Sequence, residues 1–262
     1  MLETTRYEAR QRLRGTLALA VLLGAFALLV IYIYPTIAES SADIDALIQS
    51  LPESVREGFG AETYTTIEGF VAAEVYQTIW VLLLGLYMAY TAGGVLADDV
   101  ESGRLYLVLA APVSRKRVAA EKFLALGLPI AVLNLTMPLF VFGGTVAVDY
   151  PLDPYYLVVV HLLSVPYLLV CGGIGLLLSV VLDRGDTAQR GGIALVFLLF
   201  MLDSVTLGTD AEWLGAVSPT RYIDPTAILL HETVDLVDPL LLLVVATALV
   251  VASLRHFQRR DV

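Results

Sequence analysis

Residues 155–182 read YYLVVVHLLSVPYLLVCGGIGLLLSVVL, without one Asp, Glu, Lys or Arg. Such a run exceeds the roughly 20 residues that a helix needs to cross the hydrocarbon core of a bilayer. Five further apolar blocks lie at about 16–35, 70–97, 120–147, 191–207 and 238–257, the fifth in chain order being the shortest. The blocks lift the hydrophobic share to 58%, whereas soluble chains run nearer half even with glycine counted. The expected fold is therefore an all-α integral membrane protein with six transmembrane helices, forming one transmembrane domain over 1–262. The first block is long for the core of a signal peptide, and TIAES is a weak cleavage site, so it is read as a retained helix.

Charge orients the spans. Arg6, Arg10, Arg12 and Arg14 precede the first; Arg104, Arg115, Lys116, Arg117 and Lys122 surround the connector after the second. Arg184 and Arg190 follow the fourth, and Arg255, Arg259 and Arg260 close the chain. If six helices alternate, these 14 of the 16 cations share one side and only Arg56 and Arg221 fall on the other. The positive-inside rule then places both termini in the cytoplasm and the chain in the cytoplasmic membrane.

The opposite segments are acidic. Within 36–69, Ile44, Leu47, Ile48 and Leu51 recur at helical spacing, predicting a short amphipathic helix with Ser40 and Asp43 at its cap. Pro52 would open a second short helix. Residues 208–237 carry another apolar patch, AILL. Both segments are expected to hold short helices on the outer membrane face.

Several chemistries find no support. The formal net charge of −10 argues against nucleic acid, whose phosphates call for clustered cations. A single cysteine, Cys171, builds neither a disulfide framework nor a cysteine metal site. There is no GxxxxGK[ST] phosphate loop, and His231-Glu232 begins an HExxH pattern without its second histidine. No Ser, His and Asp set shares one expected depth, so the chain is not expected to be an enzyme by itself, nor to hold a metal or cofactor.

Ionisable residues inside apolar spans invite a functional reading. Glu74, His161 and Asp203 are the candidates for a polar pathway. The blander readings are hydration of Glu74 and Asp203 at the interface, and a hydrogen-bonded packing role for His161. Pro129, Pro138 and Pro166 permit kinks, while Gly172, Gly173 and Gly175 permit close helix approach. None of these specifies a function.

Arg6, Arg10 and Arg14, spaced i, i+4, i+8, share one face. They predict an interfacial helix on the cytoplasmic leaflet, supported by a Glu8–Arg12 pair. The plainer alternative is a frayed basic tail that only sets topology.

The connector ADDVESGRLYLVLAAPVSRKRVAAEKFLA, residues 97–125, mixes acids, an apolar turn and cations. Gly103 should end the descending helix, Arg104 to Ala110 should form a short helix or turn carrying Leu105, Leu107, Val108 and Leu109 and stopped by Pro112, and Ser114 should cap the next. Arg115, Lys116 and Arg117 then sit in a first turn, against the helix dipole. A plain topological loop accounts for those cations but not for an exposed LYLVLAAPV. An apolar centre with a charged rim is what a protein docking site presents.

That connector resembles the first cytoplasmic loop of the permeases of type-2 ATP-binding-cassette (ABC) transporters. The family's pattern appears in the acids Asp98, Asp99 and Glu101, then Gly103, Leu107, Leu109, the run Pro112, Val113, Ser114 and Arg115, and Lys122. Arg104 stands where many members have Thr. WLGAVSPTRYIDPTAILL, residues 213–230, is similar to the family's second signature, here Ser218, Pro219 and Tyr222. The resemblance implies a coupling helix docked on a separate ATPase subunit that holds ATP and Mg, and a second permease chain, identical or not. It also implies substrate movement, with export the expected direction. The competing readings are a six-helix secondary transporter, a non-transporting membrane scaffold and an intramembrane hydrolase.

Overall fold

The computed structural model describes residues 3–51, 63–110 and 113–259. Pro52, Pro112 and Arg260 lie outside the described residues, as does the side chain of Leu109. The described residues are helical, without strands. A backbone that satisfies its own hydrogen bonds along one segment is what a waterless bilayer core demands. Six helical stretches are long and apolar enough to cross it: Thr4–Glu39, Ile67–Glu101, Arg115–Ala147, Pro154–Val181, Gly185–Thr206 and Val237–Arg259. They are called spans one to six below.

Helix α1 (Glu3–Glu39) supplies span one and is followed at once by α2 (Ser41–Gln49). Span two is built from α3 (Ile67–Val71), a π-helical stretch (Ala72–Leu83) and α4 (Leu84–Glu101). The connector forms α5 (Arg104–Leu109). Span three comprises α6 (Arg115–Leu124) and α7 (Gly127–Ala147), while α8 (Pro154–Val181), α9 (Gly185–Thr206) and α11 (Val237–Arg259) are spans four, five and six. Between the last two lie the 3-10 turns Glu212–Val217 and Pro219–Tyr222 and the short α10 (Pro225–Leu229).

Spans two and four form the centre. Two thirds of the most apolar window of each is buried, against 28% for spans one, five and six. The centre is tight because of its small residues. A Cβ on Gly192 of α9 would lie 2.9 Å from the Ala89 carbonyl oxygen of α4, and one on Gly175 of α8 would lie closer to the same oxygen. On the other face of α8, a Cβ on Gly173 would meet Leu249 of α11 at 3.1 Å. Of the three glycines expected to permit close approach, Gly175 and Gly173 thus set two different helix contacts, while Gly172 has ordinary clearance. The Ser179 hydroxyl of α8 accepts from the backbone N–H groups of both Leu96 and Ala97, each at 2.9 Å, pinning the two central spans near their base.

Three details differ from the sequence reading. The basic stretch up to Arg14 is not a separate interfacial helix: Glu3–Glu39 is one uninterrupted helix. At 1.5 Å per residue it is about 55 Å long, more than the hydrocarbon core needs, so its first turns extend past that core as an arm. Nothing in RGTLALA breaks a helix apart from the lone Gly15, so propagation wins. Ser40 occupies the cap position of α2, but its side chain makes no capping bond, because its backbone continues the preceding turn and donates to Ile37. Span five starts six residues earlier than expected, at Gly185, because the Glu101 carboxylate accepts from the Gly185 N–H at 2.9 Å and satisfies a donor the helix start leaves open.

Candidate functional site

The acids of the connector divide by helical geometry. Asp98 and Glu101, three apart, share one face of α4; Asp98 accepts from the Gln189 amide of α9 at 3.3 Å, and Glu101 caps Gly185 beside Arg184 at 3.9 Å. Asp99 points elsewhere. Its two oxygens lie 2.7 Å from Lys122 Nζ of α6 and 3.1 Å from Arg104 Nε of α5. The same ammonium lies 2.5 Å from Glu8 of the α1 arm, which also faces Arg12 at 3.7 Å. Lys122 and Asp99 are 5% and 7% exposed, whereas Glu8 and Arg12 are half-buried and Arg104 is exposed.

A second tie joins α6 to the arm. The buried Glu121 carboxylate accepts from Arg117 Nε at 2.7 Å and from the Thr4 N–H at 3.2 Å, while its carbonyl accepts from the Thr5 hydroxyl at 2.9 Å. Arg6, Arg10 and Arg14 share the exposed face of the arm, opposite this contact. A cavity of about 690 Å³ lies between the arm and α5, bordered by Tyr7, Arg12, Asp98, Leu107 and Val108.

The turn into α5 requires glycine. Gly103 has φ +72°, the left-handed region that side chains resist, and stands at the N-cap of α5. The six residues that follow present two different faces. Leu105 is fully buried in the core, whereas Leu107 is 78% and Tyr106 55% exposed. Val113 packs partly against the core. Ser114 then caps α6, its hydroxyl accepting from the Arg117 N–H at 3.3 Å. Arg115, Lys116 and Arg117 occupy the first turn of that helix.

At the far end of the bundle the chain is tied down by local polar clusters. Asp203 of α9 accepts from the Thr220 hydroxyl at 3.0 Å and pairs with Arg221 at 3.4 Å; Arg221 also bonds the Glu212 carboxylate, and its carbonyl at 3.1 Å. Ser218, fully buried, shares a hydrogen bond with Thr220 at 2.7 Å, Pro219 opens the 3-10 turn, and the Tyr222 hydroxyl donates to the Ala216 carbonyl at 2.7 Å. Glu74 accepts from the Tyr64 phenol at 2.5 Å. Burial, then that bond and the Glu74 charge, push the phenol above its ordinary value, so Tyr64 stays a donor. Asp45 of α2 receives the Thr63 hydroxyl at 2.5 Å, the Tyr64 N–H at 2.6 Å and the Thr65 hydroxyl. Partial burial pushes its carboxyl up, but these donors outweigh it and hold it below the usual carboxylate range.

His161 lies deeper. Its Nε2 shares a hydrogen bond of 2.9 Å with the Tyr76 hydroxyl, its ring packs edge-on against Trp80 at 4.4 Å, and Trp80 Nε1 donates to Ser164 at 2.8 Å. The Tyr167 hydroxyl donates to the Val81 carbonyl at 2.9 Å, inside the π stretch. Glu74, His161 and Asp203 thus each belong to a different set of partners. Sequence reasoning missed Glu8 as a partner of the connector, and Glu121 within the connector as a tie to the arm. The one signal was the Glu8–Arg12 spacing, on the side of the helix away from the exposed arginines.

A charged, clamped end on a six-span helical bundle fits a multi-pass membrane protein. The sequence profile described as ABC-2 family transporter protein matches residues 5–262, so the chain belongs to the ABC-2 transporter family. No curated protein matches it.

The His161 cluster is testable as packing. Tyr76→Phe leaves Nε2 without a partner and is expected to cost about 1–3 kcal/mol. Tyr76→Phe combined with His161→Phe, which removes both polar groups, should recover most of that loss in thermal melts of the detergent-solubilised protein. A double variant less stable than Tyr76→Phe alone would assign His161 bonds beyond this pair.

Proposed function

We propose that the chain is the membrane-spanning permease subunit of an ABC transporter, moving substrate by means of ATP hydrolysed on a separate ATPase subunit. The single observation that carries this reading is α5. It is a short helix with one leucine locked in the core and the next fully presented to solvent, on a base clamped by ion pairs. Exposed Leu107 and Tyr106 beside Arg104, Arg115, Lys116 and Arg117 supply an apolar centre with a charged rim. Force applied there enters spans two, three and five directly, through Asp99, Lys122, Asp98 and Glu101.

In this reading the ATPase docks on residues 98–122 and holds the nucleotide and Mg. The chain itself catalyses no reaction. Two permease chains assemble, and the substrate passes between them. The family supports export as the direction. The base with the termini faces the cytoplasm of the cell membrane, an orientation supported by the cation distribution. Arg221, which counts against that distribution, is neutralised where it stands by Asp203 and Glu212.

Two experiments test the reading. Once a P-loop ATPase is captured with the full chain, Glu101→Ala and Gly103→Pro are expected to abolish ATPase stimulation. The first frees the start of span five; the second demands φ near −65° where the chain has +72°. Undiminished stimulation by both variants, inserted at wild-type levels, would sink the docking assignment. For topology, Cys171 is fully buried and is the sole cysteine, so the background is silent. A cysteine at exposed position 210 should react with an impermeant maleimide in intact cells, and one at exposed position 186 only after lysis. The reverse pattern would invert the protein in the membrane.

A further inference from the structure

Lys122 is a nearly buried cation that borders the cavity between the α1 arm and the proposed docking helix. It is 5% exposed, and its ammonium is enclosed between Glu8 of the α1 arm and Asp99 at the base of span two, at 2.5 and 2.7 Å. A cation kept only for topology needs neither burial nor two carboxylates, and Arg115, Lys116 and Arg117 already serve that end of the chain. An ammonium is a compact charge whose donors can bridge two carboxylates at once. The ammonium is nearly buried although it borders the cavity between the arm and α5, so parting it from its two carboxylates costs more than parting a fully exposed pair. Among the described residues, the ion pairs that connect the base of span two with the arm all pass through this one ammonium. Asp99 in turn holds Arg104, the first residue of α5.

From this geometry we infer that Lys122 is a positioning residue that makes the α1 arm move with α5 and the base of span two. When the ATPase displaces α5, Asp99 carries the displacement to Lys122, and Lys122 carries it to Glu8 and so to span one. Span one packs along span three over its length, Gly24 against Phe140 and Leu28 and Ile31 against Gly144. The arm is thus a second lever, which extends one docking event from spans two and three to span one. The inference rests on the reading of α5 as the docking helix.

Spin labels on the full chain in complex with its ATPase test it, in vesicles, with Mg-ATP and vanadate to trap the closed ATPase. Labels at exposed positions 102 and 10 report span two against the arm, and labels at 102 and 255 report span two against the base of span six. In the wild type the 102–255 distance should change on trapping while the 102–10 distance stays narrow and constant. In Lys122→Met the 102–255 change should persist while the 102–10 distribution broadens or shifts. Glu8→Gln cuts the same link and leaves Asp99 to hold the ammonium, so it should fold where Lys122→Met does not and give the same result. A merely structural role would lower the melting temperature without separating the two distances. A 102–10 distance that stays fixed on trapping in Glu8→Gln, or that shifts in the wild type, overturns the inference. An unchanging 102–255 distance in the trapped wild type removes the docking reading itself, and the inference with it.

Discussion

One ammonium between two carboxylates holds the base of this bundle together. Glu8, Lys122 and Asp99 come from the arm, span three and span two, and Arg104 extends the set into the connector helix. Buried ions cost more to desolvate than neutral side chains, so their retention is weak evidence for stability alone. Their value here is geometric. A directional, largely buried link holds three helices together at the base of the bundle, beside the cavity under α5. The neighbouring acids do the same for span five, Asp98 through Gln189 and Glu101 through the Gly185 N–H.

The bilayer imposes the other constraint. Each backbone N–H or C=O that leaves the helical ladder needs a partner in hydrocarbon. Span two departs from regular geometry over twelve residues, Ala72–Leu83, where Thr78 donates to the Ala73 carbonyl from within the stretch. Tyr167 donates to the Val81 carbonyl, and nearer the base the Ser179 hydroxyl receives two backbone donors. The irregular span and its neighbour are therefore tied together along their length, the His161 cluster lying in the half away from the base. At the far end, Asp203, Arg221 and Glu212 anchor the last connection, and Asp45 anchors the approach to span two.

Much of this was legible in the chain. Six apolar blocks name six spans because no other structure hides so many consecutive apolar residues. Gly103 and Ser114 declare their turn and cap through backbone chemistry that needs no tertiary context. The π stretch was not legible, since AAEVYQTIWVLL contains no Gly or Pro and reads as ordinary helix. Glu8 and Glu121 were hidden for another reason. Each also pairs within its own helix, Glu8 with Arg12 and Glu121 with Arg117, but the bonds that join the arm to α6 span more than a hundred residues and form only in the packed bundle. Arg221 looked like an exception to a topology rule until Asp203 and Glu212 were seen around it. The substrate leaves no such mark in the described residues, whose far-end polar groups are largely engaged with one another.

The central claim is that α5 presents its outer face to an ATPase, and photo-crosslinking from single positions tests it most directly. A photoreactive residue at position 107, exposed at the connector, should capture the P-loop ATPase in cells, while one at position 198, exposed along span five, should not. Failure to crosslink at 107 in a complex that still hydrolyses ATP in a permease-dependent manner would contradict the account.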